Sequence, residues 1–185
     1  MDPVWLLDFD GVVNAIGRNP DRSVWPADEW IRAEASDAEE TYPIMAARPV
    51  LRFITRAHAA GADIRWHSTW QQHIASPTEA LGLPELPVLP APEYLVEEAA
   101  GPLAPIPDTW WKEAGGRRTA ATGRPMVWTD DDLRDNLGLR TAVDTRPLWP
   151  DLPVPTLAIS PPRRVGLTPR HLRLIGAFLN LPASA

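Results

Sequence analysis

The 185-residue sequence contains no cysteine. That absence excludes disulfide frameworks, thiolate nucleophiles and cysteine-based zinc sites, and leaves chemistry to oxygen and nitrogen groups. No apolar run is long enough to cross a bilayer. The first residues offer only the run Val4 to Leu7, without the basic region and longer apolar stretch of a signal peptide, so a soluble cytoplasmic protein is expected. A basic field is lacking too. Eighteen Lys and Arg face 24 Asp and Glu, a formal net charge of -6, and basic residues cluster only in short pairs such as Arg117-Arg118 and Arg163-Arg164. A strong sequence-independent nucleic-acid binder is therefore not expected, although local recognition of a nucleic-acid end remains open.

What is present suits one globular domain over residues 1–185, with 44% hydrophobic composition. Twenty-two prolines are dispersed between apolar segments and read as loop punctuation. Nine tryptophans accompany them, five of which (66, 70, 110, 111 and 128) lie close to polar motifs. Core packing is the first reading for most of these; stacking on a substrate base is the second.

Short apolar runs alternate with helical periodicity. Val4 to Leu7 is continuous, as in a strand buried on both faces of a parallel sheet, and it ends in Asp8. Residues 15–46 carry turn formers, tryptophans and acids, and are expected as a loop or hairpin excursion forming a flap or small cap. Arg48-Pro49 opens a helix that Gly61 stops, and a strand over 62–66 delivers His67, Ser68 and Thr69. Ser76-Pro77-Thr78-Glu79 has the form of a capping box. A strand is expected over 86–89 and an irregular connection over 91–107. Asp108 is read as the cap of a helix that carries Trp110, Trp111 and Lys112 and ends at Gly115-Gly116. Residues 125–129 form another strand, which discharges into Asp130-Asp131-Asp132; 156–160 is a last strand, and Thr168-Pro169 begins a last helix. The alternation predicts an α/β fold, a Rossmann-like three-layer sandwich whose mainly parallel sheet binds ligands beyond the carboxyl ends of its strands.

Three strand candidates thus end in polar groups: Asp8-Phe9-Asp10, Ser68-Thr69 and Asp130-Asp131. Gathered in one crevice, such carboxylates would repel one another by roughly 4 kcal/mol per pair at about 4 Å and an intermediate dielectric. A divalent cation removes that penalty. Magnesium suits the set, because it takes one or two carboxylates, keeps waters and accepts phosphate oxygens, so the pattern points to phosphoryl transfer. Lys112 supplies further positive charge for the developing charge on phosphate.

With these residues in view, the sequence resembles the haloacid dehalogenase superfamily. Asp8-Phe9-Asp10-Gly11-Val12-Val13-Asn14 after an apolar strand looks like its first motif, Ser68 like its second, Lys112 like its third, and Asp130-Asp131 like its acidic fourth, in the family's order. Trp66-His67-Ser68-Thr69-Trp70, the Trp-Trp-Lys at 110–112, Gly123-Arg124-Pro125 and Gly166-Leu167-Thr168-Pro169 are similar to an actinobacterial and phage group related to modules of RNA-repair proteins. The resemblance implies a magnesium-dependent phosphohydrolase. Asp8 would form an aspartyl-phosphate, Asp10 would act as acid and base, Ser68 would bind phosphate, and Lys112 would hold nucleophile and phosphate together. Magnesium would be held by Asp8, the Asp10 backbone carbonyl and Asp130, with Asp131 as an outer or alternative ligand. Gly11, Asn14 and Thr69 are the expected substrate-side residues. Only the residues 15–46 lie between the first two motifs as a cap, and 43 residues lie between Ser68 and Lys112. The implied site is minimally capped.

Plainer readings stand beside these. Asp-Gly is an ordinary turn signal, and Asp130 to Asp132 also suits the first turn of a helix. Thr69 is the alternative to Ser68, and Arg117 or Arg118 to Lys112. His67 and His73 have no helical metal-ligand spacing and are read as incidental. The expected partner is a phosphorylated small molecule or a nucleic-acid end, with no membrane and no obligate protein partner. A non-catalytic phosphate-binding or scaffold module is the competing function.

Overall fold

A computed structural model describes residues 1–17, 21, 23–91 and 110–182. Four parallel strands form the centre of the molecule: β1 (Val4–Leu7), β4 (Asp63–Trp66), β5 (Met126–Thr129) and β7 (Thr156–Ile159), with the two-residue β6 (Val143–Asp144) antiparallel at one edge. Their order is β4-β1-β5-β7-β6. Every residue of β1, β5 and β7 is buried, which is why each reads as an unbroken apolar run in the sequence.

Both faces of the sheet are covered. On one, Trp5 and Leu7 pack with Val50 and Ile54 of α1 (Arg48–Ala59) and Leu172 and Ile175 of the helix at Pro169–Phe178. On the other, Val4 and Leu6 pack with Ala120, at the end of the helix Trp111–Ala120, and with Leu133, which opens the short helix Leu133–Leu137. Counting α2 (Ala75–Leu81), these three later helices are α3 (Trp111–Ala120), α4 (Leu133–Leu137) and α5 (Pro169–Phe178). The architecture is mixed α/β with a mainly parallel central sheet flanked by helices, compatible with a Rossmann-like fold. None of the described helices is long and apolar enough to cross a membrane.

Between β1 and α1 the chain makes an antiparallel hairpin of β2 (Trp30–Ser36) and β3 (Thr41–Ala47). It is sewn to the loop after β1: the Ala15 amide donates to the Met45 carbonyl, and the Met45 amide donates to Asn14 Oδ1.

Several expectations are corrected. The Ser76 capping box is not made, because α2 already begins at Ala75 and the Ser76 hydroxyl accepts from the Ser36 amide of β2. Gly115-Gly116 does not stop a helix; α3 runs through both to Ala120. A Cβ on Gly115 would stand 2.6 Å from His67 Nε2, and one on Gly116 2.3 Å from the Trp128 ring, so these glycines serve close packing inside the helix. The strand expected over 86–89 is reduced to a single parallel bridge between Val88 and Trp66. Asp108 and residues 92–107 lie outside the described residues. The Thr168 capping box of α5 is formed, with His171 as its reciprocal partner.

Candidate active site

Parallel pairing sets the site. The ladder continues one residue past each strand end: the Asp8 amide donates to the Thr129 carbonyl, the His67 amide to Leu7, and the Asp130 amide to Ile159. Asp8, His67-Ser68 and Asp130 are therefore brought side by side at the carboxyl edge by register alone.

Lys112 reaches this edge from the first turn of α3. Its ammonium stands 2.8 Å from Asp8 Oδ2 and 2.7 Å from Asp130 Oδ2, with all three side chains at most 6% exposed. Oxygens of Asp8, Asp130 and Asp131 lie within 4.8 Å of one another. One buried ammonium does not neutralise three acids. Burial and then the Asp8 charge push the Asp130 carboxyl up to about 8. Burial, Asp8 and Asp132 push Asp131 to about 6, against the pull of Arg163. Burial raises Asp8 as well, opposed by Lys112. The same two carboxylates hold Lys112 firmly charged, its pKa raised above the ordinary lysine value. A hard divalent cation fits this donor set, three oxygen ligands with one cationic neighbour too few.

The loop after Asp8 is shaped around the cluster. Gly11 has φ +71, and a Cβ there would lie 2.3 Å from Asp131 Cγ, so only glycine leaves Asp131 its place. Asp8 Oδ1 accepts from the Phe9 amide at 2.8 Å. The Ser68 hydroxyl is buried beside the Asp8 carboxyl, whose charged form it favours without a fully formed hydrogen bond. A hydroxyl placed there can turn its donor to an oxygen of a bound phosphate. Thr69, its alternative, is exposed and lines a neighbouring cleft.

Asp10 turns away from the acidic cluster toward that cleft. One oxygen accepts from Asn14 Nδ2 at 2.7 Å and the other from Trp70 Nε1 at 2.8 Å. Its carboxylate is not among the clustered ligand oxygens, leaving its backbone carbonyl as the group it would offer a metal. Asn14 itself acts as a strut, holding Asp10 with one end of its amide and the hairpin with the other.

Arg117 pairs with Asp151 at the surface and Arg118 donates to the Pro90 carbonyl, so neither takes the place of Lys112. His67 is fully buried between Trp111 and Trp128, and burial pushes its imidazole down to about 3, keeping it neutral. His73 sits instead at the cleft, beside Gln72. Trp66 and Trp70 meet Phe9 edge to face, and Trp110 stacks on Trp128, so these rings are packing elements.

Two contributors escaped the sequence reading. Arg163, on the loop after β7, places Nε 2.6 Å from Asp131 Oδ2 and also pairs with Asp132. The rule that strand ends carry chemistry, applied to β7 as it was to β1 and β5, would have pointed there. Trp70, expected in the core, also clamps Asp10 through its indole N–H, and no periodicity announces such a bond.

No protein-family model, curated protein or solved structure matches this chain.

Proposed function

We propose that the chain is a magnesium-dependent phosphomonoesterase of the haloacid dehalogenase type, working through an aspartyl-phosphate. The observation that carries this reading is the buried ammonium of Lys112 bridging Asp8 and Asp130 beside Asp131. Four segments distant in sequence contribute to that one pocket, and they are the four that the motif resemblance singles out. The strand order supports it further, with the β1 end flanked by the ends of β4 and β5.

In this reading a carboxylate oxygen of Asp8 attacks phosphorus as the ester P–O bond breaks, and Asp10 gives its proton to the departing oxygen. Water then attacks the phosphorus of the acyl phosphate, its proton passing to Asp10, and phosphate leaves with Asp8 regenerated. The Ser68 hydroxyl donates to a phosphate oxygen. Lys112 stabilises charge on the transferring group in a site where low exposure strengthens the effect. Magnesium would be held by Asp8, the Asp10 carbonyl and Asp130, with Asp131 as an outer or alternative ligand, and would supply charge neutralisation for acids and phosphate together. The β2–β3 hairpin is the minimal cap. A carboxyl group at position 10, two residues past the nucleophile, is the feature that favours phosphate esters over carbon-halogen bonds.

The test is magnesium-dependent release of inorganic phosphate from a broad ester panel, together with Asp8→Asn. Turnover in that variant is expected to fall to background while its thermal melt stays near that of the parent. Undiminished activity would remove Asp8 as nucleophile, and tight phosphate binding without release by the parent would favour a non-catalytic module.

A further inference from the structure

Asp10, two residues past Asp8, lines a cleft of about 1150 Å3 between the β2–β3 hairpin and the 69–73 segment. That is ample for a group of drug size, since pockets holding such ligands run to roughly 300–1,000 Å3. Its apolar wall is made by Ile16, Tyr42, Ile44, Met45 and Trp70. Ile16 is 41% exposed, and among the described residues only Met1 is another large apolar side chain so open to solvent. The Tyr42 ring stands edge-on to Trp70 at 5.7 Å, and its hydroxyl is tied to Asp37 at 3.1 Å. An exposed aliphatic side chain and a fixed aromatic pair in one lining make a surface suited to a flat, apolar body.

The charge around this wall is acidic. Beyond Asp10, the described lining carries Glu34 and Asp37 against Arg32, with His73 beside them. Asp37 is held by the Glu39 and Glu40 amides as well as by Tyr42. A chain of phosphodiesters laid along this rim would meet like charge.

We propose that this cleft receives the leaving group, that the leaving group is an uncharged nucleoside, and that the substrates are therefore nucleoside monophosphates rather than the phosphorylated ends of nucleic-acid strands. The inference rests on the phosphatase reading, because it takes Asp10 as the acid that faces the departing oxygen. The base lies against Ile16, Tyr42 and Trp70, and only the phosphate being cleaved reaches the Lys112 ammonium.

The experiment compares kcat/KM of the full chain with magnesium on adenosine and uridine monophosphates, on glycerol phosphate and on a short phosphorylated oligonucleotide. Mononucleotides are expected to lead both others. Ile16→Glu, at an exposed position outside the catalytic set, should lower kcat/KM on mononucleotides by about tenfold or more and leave glycerol phosphate within about twofold. Glu34→Lys should narrow the gap between mononucleotide and oligonucleotide. The proposal is overturned if the oligonucleotide or glycerol phosphate is the better substrate, or if Ile16→Glu loses both small substrates equally. Should no ester be hydrolysed, the phosphatase reading fails, and calorimetric titration of adenosine monophosphate still decides the cleft. Binding lost in Ile16→Glu would keep the cleft as a nucleoside site without a leaving-group role; equal or absent binding in both proteins would overturn that assignment too.

Discussion

Asp10 and Asp8 are two residues apart and have opposite surroundings. Asp8 shares a buried ammonium with Asp130, whereas Asp10 is gripped by two neutral N–H donors at the mouth of a cleft. Position, more than chemistry, separates the proposed nucleophile from the proposed acid. Trp70→Phe removes one of the two donors and retains a ring in contact with Phe9 and Tyr42. A catalytic acid displaced by a fraction of an ångström costs rate mainly where the leaving group needs a proton. The variant is therefore expected to lose about tenfold to a hundredfold in kcat/KM on an alkyl phosphate and far less on an aryl phosphate such as nitrophenyl phosphate. Equal losses on the two esters would make Trp70 a packing residue only. The sequence displayed Asp8, Asp10, Ser68, Lys112 and Asp130, because strand ends and motif order mark them. It did not display Trp70 or Arg163, whose roles arise from hydrogen bonds and ion pairs across long separations that leave no periodic trace.

Elements were legible where burial is complete and obscure where tertiary packing overrides local preference. β1 is read correctly because all four of its residues are buried, and α1 because Pro49 opens an amphipathic stretch. The interior of the hairpin is not legible. β2 is mostly half-buried or exposed, β3 buries only Ile44, Ala46 and Ala47, and Pro43 sits inside β3, which argues locally against a strand. Gly115 and Gly116 mislead in the same way, since two adjacent glycines announce a helix end. In the fold they let α3 approach His67 and Trp128, and that approach is what carries Lys112 to the cluster. Gly116→Ala would drive a methyl into the Trp128 ring, with Trp149 only 3.0 Å away on the same side. The change favours the helix locally and overpacks the core, so a net loss of about 1–3 kcal/mol is expected from urea melts. Catalysis should fall with it, through a displaced Lys112. A more stable protein with unaltered kcat would show that helix and sheet are not tightly fitted there.

At the scale of the whole molecule the acidic cluster works against the fold until something neutralises it. The Asp131 and Asp130 carboxyls titrate near 6 and 8, above their ordinary value, chiefly because they are buried and share Asp8 as a neighbour. A raised carboxyl pKa means that the native protein keeps protons the unfolded chain has already released. Stability from these groups is thus complete below the ordinary carboxylate range and declines as pH rises through about 6 and then about 8. A cation reverses the preference, since it binds the deprotonated cluster and releases those protons. Binding to the native state alone contributes about 2.7 kcal/mol at a hundredfold excess over Kd. For a chain of this size that corresponds to roughly 5–10 °C in Tm. Melts in chelator should therefore fall in Tm between pH 5.5 and 8.5, and the increment produced by magnesium should grow over the same interval. The net charge of -6 adds its own repulsion as pH rises, so the local effect needs a control. Replacing Asp130 and Asp131 together by Asn removes two of the three raised carboxyls and leaves Asp8 in place. In that variant the magnesium increment should vanish and the decline with pH should flatten. A magnesium increment of the same size at both ends of the pH range in the parent protein, or one that survives the double replacement, would place the cation elsewhere.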